Sequence, residues 1–141
     1  MIAHVPLLQR YAQAVQADAH TTDEAQHAIV VRLDALERCL LLQPVPGVLR
    51  RWFISLRREH HYPGSCRGVY LWGAVGRGKT WLMDQFHDGL PPHSARRLHF
   101  AHFMREIHAR RRRIGGKERP LDHIAALLAR AAQVYCLDEF V

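Results

Sequence analysis

The eight residues Gly73-Ala74-Val75-Gly76-Arg77-Gly78-Lys79-Thr80 have the form G-x-x-x-x-G-K-[ST], and nothing else in the chain restricts its fold as tightly. At average residue frequencies the fixed positions coincide by chance in roughly one chain in two hundred of this length. The surroundings narrow the reading further. Gly68-Val69-Tyr70-Leu71-Trp72, just before, is a short apolar run of strand formers; Trp81-Leu82-Met83-Asp84-Gln85-Phe86, just after, carries apolar residues at helical spacing. A strand, a glycine-rich turn and a helix together wrap backbone N–H groups around a triphosphate and aim the positive end of the helix at it. Gly73, Ala74, Val75, Gly76, Arg77 and Gly78 are the expected cradle. Lys79 is expected on the β- and γ-phosphates, where it also serves the reaction, and Thr80 on Mg²⁺.

A second motif lies near the other end. Val134-Tyr135-Cys136-Leu137 is an apolar strand followed by Asp138-Glu139, the form of a Walker B strand. A buried strand of this kind delivers a carboxylate to the C-terminal edge of a sheet. Asp138 is expected to order the Mg²⁺ shell and Glu139 to act as general base on the attacking water. Alone the signal is weak, because apolar strands ending in Asp are common. Two helices and one strand downstream of Lys79, it becomes specific.

The remaining pattern reads as helices, then alternating strands and helices. Leu7, Leu8, Tyr11 and Val15 share a face of a first helix. Thr21-Thr22-Asp23-Glu24 is a capping box opening a second, which runs to about Leu42 with Ala25, Ile29, Leu33, Leu36 and Leu40 inward. Pro44 and Pro46 end it, and a short amphipathic helix from Val48 to Arg58 follows. After the phosphate-loop helix come a strand at Arg97-Leu98-His99-Phe100, a helix from Phe103 to Arg113 stopped by Gly115-Gly116, and a helix from Pro120 to Ala132. Alternation from residue 67 onward indicates a parallel α/β sheet. The division expected is residues 1–66 as amino-terminal helices and 67–141 as the first half of a phosphate-loop core.

Composition excludes several classes. With 141 residues and 48% apolar content the chain can bury a core, and no stretch is long enough to span a membrane. The net charge is +7, but residues 1–42 are slightly acidic and 18 of the 20 basic residues are arginine. Direct nucleic-acid binding is therefore not expected. Arg110-Arg111-Arg112-Arg113 reads as a solvated helix end matched to the negative pole of the dipole, with contact to acidic or phosphate surfaces as the sharper alternative. Cys39, Cys66 and Cys136 are odd in number and widely spaced, which suggests free thiols in a reducing cytoplasm, Cys39 and Cys136 buried. His99, His102 and His108 match no zinc spacing, and His99 is expected packed or hydrogen-bonded. Trp72 and Trp81 are expected in the core, with stacking on a base as the alternative; Gln26 is a candidate reader of adenine.

Gly68 through Asp84 in unbroken succession, Arg97-Leu98-His99-Phe100 with Phe103-Met104, Pro120-Leu121 with Ile124-Ala125, Cys136-Leu137-Asp138-Glu139-Phe140, and Asp23 with Gln26 and Arg32-Leu33 together resemble the ZapE family of bacterial cell-division ATPases and their mitochondrial relatives. The resemblance spans nearly the whole chain. It implies a P-loop NTPase of the AAA+ type, with ATP and Mg²⁺ as cofactors and a cytoplasmic or membrane-peripheral location. It also implies the tubulin-like protein FtsZ as partner, whose polymers the family destabilises with ATP. By position, Lys79 and Thr80 inherit the phosphate and metal roles, Asp138 the metal role and Glu139 the catalytic one.

Sheets of this type are ordered 5-1-4-3-2, and only strands one, two and three are expected within these residues. A core truncated after its third strand leaves unpaired edges, each orphaned backbone group costing on the order of 1–3 kcal/mol. The strand-four sensor and the arginine finger are expected in the absent part, as are surfaces that would build a homo-oligomer of the full-length form. This chain alone is accordingly expected to bind nucleotide weakly and to hydrolyse it poorly or not at all. Two other readings stay open: a nucleotide-binding module or pseudo-enzyme fragment without turnover, and an ATPase of the DNA-helicase-loader type.

Overall fold

The structure is a computed structural model, and it describes residues 4–18, 24–42, 66–74, 76–116 and 118–140. These fall into two compact units. The first draws on residues up to 91, the second on residues from 92 onward. The capping box at residues 21–23, the prolines at 44 and 46 and the helix expected at 48–58 lie outside the described residues.

The first unit holds helices α1 (Leu7–Asp18), α2 (Glu24–Leu42) and α3 (Lys79–Asp88). Leu7 and Tyr11 of α1, Val30, Leu33, Leu36 and Leu40 of α2, and Leu82 and Phe86 of α3 are buried. Ala25 is exposed and Ile29 only half-buried, so the inward stripe of α2 is rotated toward Val30 relative to the sequence reading. The reason is polar. Asp34 and Glu37 are each only 1% exposed, because they cap another helix. The Leu7 amide donates to Glu37 Oε2 at 3.0 Å and the Leu8 amide to Asp34 Oδ1 at 3.1 Å. Two carboxylates thus sit on the positive end of α1, where free N–H groups and the macrodipole favour anions. Glu37 also pairs with Arg10 at 3.1 Å, and Arg10 Nη2 donates to the Gln85 carbonyl of α3 at 2.7 Å, so one guanidinium ties all three helices.

Cys39 and Cys66 are joined by a disulfide, Cα–Cα 5.9 Å, across a sequence separation of 27. This corrects the expectation of free thiols at both positions. Widely spaced cysteines carry no pairing signal in sequence; the fold brings the end of α2 beside the segment that leads to the phosphate loop. Cys136 is outside any disulfide and buried, as expected.

Gly68–Trp72 is not a ladder strand among the described residues, contrary to the sequence reading. Strand propensity needs a neighbouring strand to become a strand, and none pairs with this run among the described residues. Trp72 is 80% exposed rather than in the core, while Trp81 packs on Tyr11 with ring centroids 5.9 Å apart.

The second unit is a parallel β-α-α-β arrangement: β1 (Ala95–His99), α4 (Phe100–Arg113), α5 (Pro120–Ala131) and β2 (Val134–Asp138). The register runs from Ala95 opposite Val134 to His99 opposite Asp138. A parallel pair requires such a crossover, which the sequence periodicity had indicated. Pro120 stands at the start of α5, where its missing N–H costs nothing. Ile124, Ala132 and Cys136 are buried; Tyr135 stacks near Phe103 and its hydroxyl donates to the Leu128 carbonyl at 2.9 Å. Arg110 is bound to Glu106 one turn back at 2.6 Å, while Arg111, Arg112 and Arg113 are exposed at the helix end. That placement agrees with the solvated reading of the arginine run.

Candidate functional site: a phosphate loop and an acidic strand end

The phosphate loop lies in the first unit. Gly76 (φ +80°) and Gly78 (φ +73°) occupy the left-handed region, which a side chain would strain, and Gly78 is the residue from which α3 springs. The Leu82 amide closes the first turn onto the Gly78 carbonyl at 2.9 Å. Sequence therefore dictates the turn: glycines where the chain must reverse, then a helix whose leading N–H groups have no intrahelical partner.

Lys79 arches back over the loop. Its Nζ donates to the Gly73 carbonyl at 2.8 Å and to the Ala74 carbonyl at 2.7 Å. An ammonium with three donors held on two neutral carbonyls can exchange them for the stronger charge-assisted bonds of phosphate oxygens. Thr80, exposed on the first turn of α3, has its hydroxyl available beside that anion site. The donor set suits a nucleoside triphosphate with a hard divalent cation: an ammonium, glycine-shaped backbone and a hydroxyl oxygen. Val75 lies outside the described residues.

One contact at this loop was not legible in sequence. Gln26 Nε2 of α2 donates to the Arg77 carbonyl at 3.3 Å, and Gln26 Oε1 accepts from the buried Tyr11 hydroxyl at 3.3 Å. A residue singled out as a candidate for adenine is here engaged with the loop backbone. Only the approach of α2 to the loop reveals this, and no local pattern encodes it.

Asp138 and Glu139 lie in the second unit, at the C-terminal end of β2. Asp138 is half-buried; its Oδ1 accepts the Glu139 amide at 3.0 Å and its Oδ2 pairs with Arg97 at 3.2 Å. Arg97 is a partner the sequence reading did not assign; the register sets it two residues before His99, which stands opposite Asp138. Glu139 has a left-handed backbone (φ +52°) and an exposed carboxylate 3.8 Å from His99 Nδ1. His99 is 66% exposed rather than packed, because β1 ends there. The Phe140 ring meets Phe100 at a tilt, centroids 4.4 Å apart. The loop residues Gly73, Ala74, Gly76, Arg77, Gly78, Lys79 and Thr80 are thus together in one unit, and Asp138 and Glu139 together in the other.

Among the described residues no helix is long and apolar enough to cross a membrane, and no three His, Cys, Asp or Glu side chains are grouped to hold a metal.

The profile of the AFG1-like ATPase family matches residues 5–141. The Escherichia coli K12 protein named cell division protein ZapE is 36% identical over 140 residues, covering 93% of this chain and 36% of that protein. The zebrafish (Danio rerio) lactation elevated protein 1 homolog B is 34% identical over 95 residues, 60% of this chain and 19% of that one. An uncharacterized protein of Schizosaccharomyces pombe is 43% identical over 83 residues, 55% of this chain and 18% of its own length. No solved structure matches. The chain spans about a third of the length of the bacterial relative. With the glycine-shaped loop, its lysine and the acidic strand end all lying inside the matched residues, the chain belongs to the AFG1-like ATPase family.

Proposed function

We propose that this chain is the nucleotide-binding segment of an AAA+-type cell-division ATPase that acts on FtsZ polymers. The observation that carries the reading is Lys79 held over the loop carbonyls at the head of α3, behind two left-handed glycines. The roles follow from the chemistry of each side chain. Lys79 and the N–H groups around Gly76 and Gly78 bind the β- and γ-phosphates. Thr80 is a candidate Mg²⁺ ligand in the first unit and Asp138 a candidate metal ligand in the second; Mg²⁺ would neutralise phosphate charge. Arg97 and the Glu139 amide fix the Asp138 carboxylate so that it needs little reorganisation. Glu139 takes the proton of the attacking water at its exposed carboxylate.

FtsZ as partner, a cytoplasmic setting with membrane-peripheral association, and a homo-oligomer of the longer form all rest on the resemblance to ZapE. The test is titration of ATP into the purified chain with Mg²⁺, alongside phosphate release. Binding should weaken at least about tenfold in Lys79→Ala, the loss of a charge-assisted phosphate contact. Equal affinity in the two proteins would overturn the reading.

A further inference from the structure

Helix α2 meets the phosphate-loop segment twice. Near its C-terminal end Cys39 is bonded covalently to Cys66, just before the apolar run Gly68–Trp72. Near its N-terminal end Gln26 holds the Arg77 carbonyl inside the loop. Residues 26 and 39 are about 20 Å apart along an α-helix. Cys66 and Arg77 are therefore each fastened to the same helix. Helix α2 is itself fixed, since Asp34 and Glu37 cap α1 and Arg10 bridges to α3. Between the two fastenings, Gly68–Trp72 has no ladder strand beside it among the described residues.

From this arrangement we propose that Cys39 and Cys66 form a reversible thiol–disulfide couple that sets the affinity of the phosphate loop, the oxidised form holding the loop ready for a nucleotide. The inference rests on the nucleotide-binding reading of that loop. Both half-exposed cysteines are within reach of a small reagent. The chemistry balances with a low-molecular-weight disulfide of the glutathione class as oxidant. One cysteine thiolate attacks it, forming a mixed disulfide and expelling one small thiolate. The second cysteine thiolate then attacks the protein sulfur of the mixed disulfide, closing Cys39–Cys66 and releasing the other small thiolate. Two electrons pass from the protein thiols to the small disulfide, and the two thiol protons end on the released thiols. A dithiol reverses both steps. Breaking the bond frees one end of the loop's stem, so nucleotide must then order it on binding, which lowers affinity.

The test compares the full 141-residue chain after oxidised glutathione and after dithiothreitol. Peptide mass analysis without reduction should find Cys39 joined to Cys66 in the first sample alone. Backbone amides of residues 68–74 should exchange with deuterium faster in the reduced sample with no nucleotide present, a readout independent of ATP. The ATP dissociation constant should rise about three- to tenfold on reduction, the cost of ordering a short segment. Cys66→Ser should match the reduced chain and ignore both reagents, while circular dichroism reports that its helices are intact. No Cys39–Cys66 peptide, unchanged exchange at 68–74, or equal ATP affinity in the two redox states would each overturn the proposal. Absence of ATP binding in both states would instead overturn the nucleotide reading and the regulation with it, a result distinct from redox-independent binding.

Discussion

At the scale of single residues, two positions show how local structure is set. Gly78 sits at φ +73° with Gln26 Nε2 3.3 Å from where a Cβ would stand. Gly78→Ala should destabilise the first unit by about 1–2 kcal/mol, the usual cost of a left-handed non-glycine residue, and weaken ATP binding with it. Denaturant melting and ATP titration of the variant check both effects. Asp34 illustrates a different balance. Burial pushes its carboxyl pKa up, but hydrogen bonds from Arg38 and the Leu8 amide and the charges of Arg38 and Arg10 outweigh burial and hold it below the ordinary 3.8. A depressed carboxylate contributes stability that is fully present above the unfolded value and is lost as pH falls through the folded one. The first unit should therefore keep this contribution above about pH 4 and lose it in stronger acid. Asp34→Asn should be less stable at neutral pH and should show a smaller further loss on acidification, read by circular dichroism across an acid titration. The sequence could announce Gly78, because a motif required it. It could not announce buried Asp34 and Glu37, since an acidic residue on an otherwise apolar helix face looks solvent-facing until the capped helix is known.

At the scale of elements, the three helices of the first unit depend on one ion pair and one covalent link. Glu37→Ala removes one of the two anions that cap α1 and leaves Arg10 facing the buried site without it. A loss of about 3–5 kcal/mol is expected, as for other buried pairs broken from one side, measurable by urea unfolding. Gly89, just after α3, lies against Arg10 and Glu37 so closely that any Cβ would displace them. The Cys39–Cys66 bond closes a long segment, and its removal should cost about 3.5 kcal/mol by loop-closure entropy; thermal melting with and without reductant measures it. Here the sequence was readable where period and punctuation decide: the Lys79 helix, the Phe100–Arg113 helix, the Pro120 start and the Val134 strand all stand near their expected places. It failed at Gly68–Trp72, because β-propensity describes a fit to neighbours, and it failed for Cys39 and Cys66 because long-range proximity leaves no local trace.

At the scale of the whole molecule, the family is shown by a match across residues 5–141 and by a bacterial relative similar over 93% of this chain. The phosphate loop and the acidic strand end were both legible as motifs, and each folds within its own unit: an ammonium over glycine-shaped backbone in one, a braced aspartate followed by an exposed glutamate in the other. The partners of those motifs, Gln26 and Arg97, became visible only in three dimensions. Nucleotide binding at residues 73–80 can be followed by amide NMR spectra during titration with Mg²⁺ and ATP. It should produce shifts concentrated at the amides of Gly76, Arg77, Gly78, Lys79 and Thr80, saturating with nucleotide and absent in Lys79→Ala. Saturating shifts elsewhere with these five unmoved, or identical shifts in Lys79→Ala, would contradict it.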